Sequence, residues 1–263
     1  MLRKLEDLIP VDWIKENTDV PELRPEMWRG NFVSHCVPKI YPAYCKILHP
    51  IYEDLSVADR GVSWDDVKVL RVDEGDPIDN LLNESTTIYA GPDEASTLRR
   101  ISWKQLAGQL GLTFHPEINV DTFTSNFAGR SWPRYLIGPD EGNLELEMCR
   151  AIVRSLSTFT SDRETCFFRY DLITTDDYES DLLFCGSLQD VFAAREVVNV
   201  HASPTNWWPE SRSWFVHTDY DLTFTLVGGS KAITEALIAN PVLEAVEVLS
   251  SHRIDFQADS VNA

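Results

Sequence analysis

Apolar positions along the chain fall into periodic stretches separated by breaker-rich ones, and the period changes partway along. In the first thirty residues Pro10, Pro21 and Pro25 interrupt single tryptophans, which predicts a short helix followed by extended chain packed on the rest. Over residues 41–52, Tyr44, Ile47, Leu48 and Ile51 recur at helical spacing, so a short helix ended by Pro50 is expected. Residues 71–97 are acidic with scattered Gly and Pro and read as a long surface loop. Ser102 and Gln105 have capping-box spacing ahead of the stripe Trp103, Leu106, Ala107 and Leu110, and Gly111 supplies the stop of a predicted helix.

Breakers cluster again in 128–142, where Gly129, Pro133, Gly138 and Pro139 surround a short apolar run. Leu144, Met148, Ile152 and Leu156 follow at steps of four, after Asp140 as N-cap, and predict the longest helix of the chain. Beyond it, residues 166–173, 195–200, 212–217 and 221–227 are short, aromatic and β-branched, and read as strands. Gly228-Gly229-Ser230 leads into a helix through Ile233, Ala236 and Leu237 that Asn240-Pro241 closes; residues 242–249 form a final strand and the tail frays from Gln257. The sum is an α+β fold with a mostly antiparallel sheet flanked by helices. It is expected as a single domain over 1–263, any subdomain boundary falling within 128–142.

Charge narrows the classes of function. The 23 Lys and Arg stand against 42 Asp and Glu, and a net charge of −19 repels phosphate backbones and anionic lipid surfaces, so neither nucleic acid nor membrane is an expected partner. Apolar runs fall well short of the roughly 18 residues that a membrane span needs. The opening Met1-Leu2-Arg3-Lys4-Leu5-Glu6-Asp7 meets acidic residues at once, which is the expectation for a cytoplasmic chain. Five widely spaced cysteines without a CxxC pair fit reduced thiols and offer no thiolate zinc spacing.

A resemblance rests on Val37-Pro38-Lys39-Ile40-Tyr41-Pro42-Ala43-Tyr44, on Trp103 to Ala107, and on Trp207-Trp208-Pro209-Glu210-Ser211-Arg212-Ser213-Trp214. Together with Thr218-Asp219-Tyr220-Asp221 and Leu226-Val227-Gly228-Gly229-Ser230 these segments resemble a family of uncharacterised bacterial proteins over most of residues 37–248. That resemblance implies no substrate and no catalytic residue. Val37-Pro38 with Tyr41 and Tyr44 is also similar to the opening motif of SMI1/KNR4-like immunity proteins, without the glycine pair that follows it there.

Two readings of function come from the side chains. In the first, the protein binds a macromolecule, as an immunity-type antagonist of a partner with a basic surface. Trp207 and Trp208, beside Arg212, offer aromatic surface, with one ring packed under the sheet end and the other partly exposed. From Tyr170 onward 4 basic residues face 15 acidic ones, and Asp171, Asp176, Asp177, Glu179 and Asp181 have no basic residue among them, so Asp176, Asp177 and Asp181 are candidate contacts for a basic partner. A solvated face explains the same pattern. In the second reading, a metal-dependent hydrolase, His217, Asp219 and Asp221 alternate and would share one face of a continuous strand, as a divalent-metal site requires. A hairpin with Asp219-Tyr220 in its turn explains that alternation equally. His115 and Glu117 could join His217 at a metal. Gly228-Gly229-Ser230 could hold a phosphate at a helix start, or Ser230 could be an ordinary N-cap. Cys36 beside His35 lacks triad spacing, since sequence neighbours seldom face one another. No motif for a cofactor occurs and none is expected.

Overall fold

The computed structural model describes residues 1–20, 30–66, 97–171, 181–197 and 203–262. The expected acidic loop at 71–97 lies, all but Thr97, outside the described residues. Residues 1–49, 115–117 and 140–260 form one compact unit, and residues 50–114, 118–139 and 261–263 form another.

The larger unit contains strands β1 (Arg3–Leu5) and β2 (Ala43–Leu48); the smaller contains β3 (Ile51–Asp54), β4 (Leu98–Ile101) and β5 (Leu136–Ile137). The larger unit continues with β6 (Cys166–Tyr170), β7 (Leu182–Gly186), β8 (Asn206–Pro209), β9 (Trp214–His217), β10 (Phe224–Gly229) and β11 (Glu244–Val248). Its eight-stranded sheet has the order β1-β7-β6-β8-β9-β10-β2-β11, every neighbouring pair antiparallel. Helices α1 (Asp12–Asn17) and α2 (Val33–Cys36) precede β2 in the same unit. With helices beside an antiparallel sheet, the fold is α+β, as the pattern predicts.

In the smaller unit β3 lies between β4 and β5, joined by helices α3 (Trp103–Gln109) and α4 (Val120–Asn126). The Ser102 hydroxyl accepts the Gln105 N–H at 3.0 Å and caps α3 as its sequence requires. Glu53 on β3 takes both Arg60 and Arg99 as ion-pair partners.

Helix α5 (Leu146–Leu156), the longest among the described residues, buries Met148, Cys149, Ile152, Val153 and Leu156 on one face of the large sheet. Glu145 rather than Asp140 precedes its first turn and makes no side-chain cap. Strand residues Cys45, Ile47, Phe168, Trp207, Trp214, Val216 and Val227 meet it, with α6 (Val191–Val197) and α7 (Lys231–Ile238) completing the cluster. Burying each large aliphatic side chain contributes about 1.5–3 kcal/mol. The opposite face is covered too: Trp13 of α1 packs edge-on against Trp208 and Phe215, and Phe167 stacks on Trp208 at 5.5 Å.

That second cover explains where the sequence expectations change. Residues 41–52 are not helical but hold β2 and β3, because β2 is buried on both sides along all six residues and so carries no alternation to mark it as a strand. Arg195 belongs to α6, not to a strand, and residues 198–200 of that expected strand lie outside the described residues. The tail does not fray: Ala258 is buried, Asp259 pairs with His115 at 2.9 Å, and Asn262 exchanges two hydrogen bonds with the backbone of Thr113. Among the described residues no helix is long and apolar enough to cross a membrane.

Candidate metal centre

Strand β9 ends at His217. Leu222 N–H bonds Asp219 C=O at 3.2 Å and closes a turn, so Asp219 and Asp221 do not continue the strand but lie in the hairpin connection to β10. The turn is seated on Gly142, whose N–H donates to Leu222 C=O at 3.0 Å and whose φ is +67°. A Cβ at Gly142 would stand 2.6 Å from the Tyr220 Cα, so this glycine is required by close approach as well as by backbone conformation.

The turn folds the Asp219 carboxylate back over the strand end, 3.5 Å from His217 Nε2. A third group comes from far away in the chain. Cys36 ends the single-turn helix α2, and its sulfur, a ring nitrogen of His217 and a carboxylate oxygen of Asp219 all lie within 4.8 Å of one another. His35 takes no part; its Nδ1 accepts the Phe32 N–H at 3.2 Å at the start of α2. His217 is 7% exposed, while Cys36 and Asp219 are half-buried, so the cluster lies at the border of core and solvent.

The other ring nitrogen is held by a chain of bonds across the sheet. Arg169 on β6 donates to Asp181 through Nε and Nη2, at 2.9 and 2.7 Å, and through Nη1 to Asn206 Oδ1 at 2.7 Å. The Asn206 amide is thereby oriented so that Nδ2 lies 2.8 Å from His217 Nδ1 and donates to it. His217 Nε2 is buried and has no hydrogen-bond partner among the described residues.

Opposing influences set the charges here. Burial disfavours a charged imidazole, but Cys36 and Asp219 outweigh it and pull His217 up to about 10. The Asn206 amide works against them, since a proton on Nδ1 would meet an NH2 group fixed by Arg169. Burial also opposes the Asp219 carboxylate, yet the His217 imidazole beside it and its bond with Asp221 hold it below the usual carboxylate range. Asp221 goes the other way, raised by burial and then by its bond to Asp219 to about 6. Burial likewise raises Asp171 and Glu141.

The His217–Asp219 separation suits a small divalent ion. Bonds of 2.0–2.1 Å in tetrahedral geometry put nitrogen and oxygen ligands about 3.4 Å apart, close to the observed 3.5 Å. Cys, His and Asp together are a donor set that zinc accepts, with one position left for water. Ligation through Nε2 would leave the ring proton on Nδ1, facing the Asn206 NH2; turning the amide over would let Oδ1 accept that proton only at the expense of the Arg169–Asn206 bond.

Of the residues singled out from the sequence, His217 and Asp219 meet, while Asp221 touches Asp219 instead of completing the cluster. His115 and Glu117 are engaged elsewhere, with Asp259 and with the Arg253 N–H. Trp207 and Trp208 are both buried, at 0% and 1% exposure, on opposite faces of β8; the expected half-exposed ring is absent because both faces are covered. Arg212 lies in the turn between β8 and β9 with its guanidinium over the Trp13 ring. Asp181 pairs with Arg169, and Asp176 and Asp177 lie outside the described residues. Gly228 and Gly229 belong to β10, where Gly228 makes room for Tyr41 and Val37, and Ser230 accepts the Ile233 N–H as the N-cap of α7.

Cys36, Asn206 and Arg169 were not picked out by sequence pattern. No local signal marks Cys36, because its partner stands on a strand far along the chain; Asn206 and Arg169 needed the β6-β8-β9 register to be seen together. Compared with protein-family models, with curated proteins and with solved structures, the chain has no match.

Proposed function

We propose that the protein is a metal-dependent hydrolase in which Cys36, His217 and Asp219 hold a divalent, zinc-like ion. The observation that carries this reading is the convergence of three ligand types within 4.8 Å around a buried imidazole nitrogen that makes no hydrogen bond among the described residues. Burying such a group without a hydrogen bond is costly, and a ligated metal satisfies it. An ion held by three protein groups supplies an acidified water in its fourth position. Without the ion Arg169 orients Asn206 and Asn206 holds the imidazole, while Asp221 stands on Asp219 as a carboxyl able to hold a proton.

Binding of a basic partner draws on the net charge of −19, but among the described residues it has no exposed indole beside it and its Asp181 is already paired. The test is elemental analysis of protein purified without chelator, then zinc, manganese and magnesium titrations followed by thermal unfolding and by hydrolysis of an activated ester. Stoichiometric metal that raises the melting temperature, and that Cys36→Ser and Asp219→Asn both reduce, is the expected result. Protein that takes up none of the three ions and shows no thermal shift refutes the proposal.

A further inference from the structure

The sheet face opposite α5 contains a second group of unsatisfied side chains, sharing no residue with the metal cluster. Trp13 is 4% exposed, pressed edge-on against Trp208 at 6.0 Å and Phe215 at 5.7 Å, yet its Nε1–H has no hydrogen-bond partner among the described residues. Tyr41 is 8% exposed and its hydroxyl likewise has no partner among the described residues. The ring is admitted there by Gly228, where a Cβ would come within 2.5 Å of Tyr41 Cδ2. Buried donors are nearly always satisfied in native proteins, so two such groups in one neighbourhood call for an explanation.

Arg212 supplies the third donor. Its Cζ stands 4.7 Å from the Trp13 ring centroid, and its charge is felt at the Tyr41 hydroxyl. The residue is exposed, and among the described residues its guanidinium has no carboxylate partner. Its φ of +57° is in the left-handed region that non-glycine residues seldom occupy, a strain that persists at sites where the surroundings need the side chain in one place. The indole N–H and the guanidinium can only donate and the phenol can donate as well, so the three groups together favour an acceptor. Aromatic walls and the strongly negative chain suit a single planar charge better than a dianion, and the guanidinium fork matches a carboxylate bidentately.

We propose that Arg212, Tyr41 and Trp13 form a carboxylate-binding site, with Arg212 as its solvent-facing clamp and the two buried donors beneath. The carboxylate belongs either to a small free acid or to the C-terminus of a peptide. The experiment follows the indole N–H resonance of Trp13, assigned with Trp13→Phe, while acetate, N-acetyl-glycyl-glycine or its C-terminal amide is added at constant ionic strength. A saturable downfield shift with both carboxylates and none with the amide is expected. Tighter binding of the peptide than of acetate identifies a peptide terminus, and equal binding a small acid. Arg212→Asn tolerates the left-handed backbone and should weaken binding about tenfold or more, as loss of a charge-assisted hydrogen bond does. Tyr41→Phe keeps the ring and should weaken it less. No shift with either carboxylate, an equal shift with the amide, or an unchanged response in Arg212→Asn overturns the proposal.

Discussion

Lys46 offers the sharpest test of the packing, because an ammonium in the middle of a sheet must leave a pH signature on stability. It stands on β2 opposite Leu226 of β10 and Val246 of β11, 2% exposed, with Nζ 5.0 Å from the Phe224 ring centroid. Burial lowers its pKa from 10.5 to about 7, and the charges of Glu117 and Asp259 resist that shift without reversing it. At about 1.4 kcal/mol per pKa unit the shift corresponds to about 4–5 kcal/mol. The unfolded chain keeps the proton up to about pH 10.5, whereas the folded chain releases it from about pH 7. Between those limits the unfolded state binds more protons, so this group makes stability rise with pH. The gain is complete above the upper limit and gone below the lower one. Lys46→Met replaces the group with an apolar chain of similar length. Urea melts of both proteins from about pH 6 to about pH 9 should give a stability difference that favours the variant at low pH and closes by nearly 1.4 kcal/mol per pH unit above about pH 7.5. The buried thiols of Cys45 and Cys149, raised to about 12 and about 11, lower stability at alkaline pH in both proteins alike and cancel in the difference. A difference that stays constant with pH would mean that the ammonium keeps its ordinary pKa, and the burial argument for β2 would fail.

Three further outcomes follow from the same contacts. Trp207→Ala and Trp208→Ala should each cost about 3–5 kcal/mol in urea melts, since both rings are core; a loss under about 0.5 kcal/mol for either would mean an exposed ring. Asn206→Asp places a carboxylate at His217 Nδ1 while keeping a partner for Arg169, so zinc affinity measured by competition with a chelating dye should rise about tenfold or more; unchanged or weaker binding refutes the assigned role of that residue. Gly142→Ala forces a Cβ into the Tyr220 backbone and a side chain into the left-handed region, so it should lower stability by more than about 1 kcal/mol and weaken zinc binding; wild-type values for both would show that the turn does not depend on Gly142.

What the sequence determined by itself was whatever has a local cause. The Ser102 cap and the stripe behind it, the four-step repeat of α5, the Ser230 cap of α7 and the strands β6, β9 and β10 are each written within a dozen residues, because capping and local patterning involve near neighbours. Tertiary structure decided the rest. Residues 43–48 resemble a helix in spacing and become a strand because layers of side chains cover both faces, which removes the alternation a half-solvated strand would show. The same cover buries both Trp207 and Trp208, one of which the sequence leaves partly exposed, since alternation specifies that two adjacent rings face opposite ways but not what meets them. His217 and Asp219 were legible as a pair of metal-binding types, but their meeting depends on a turn seated on Gly142, and their third partner, Cys36, arrives on a helix more than a hundred residues away. A cluster of that kind has no sequence spacing to recognise: its geometry is set by the register of β6, β8 and β9 and by the chain that packs against their ends.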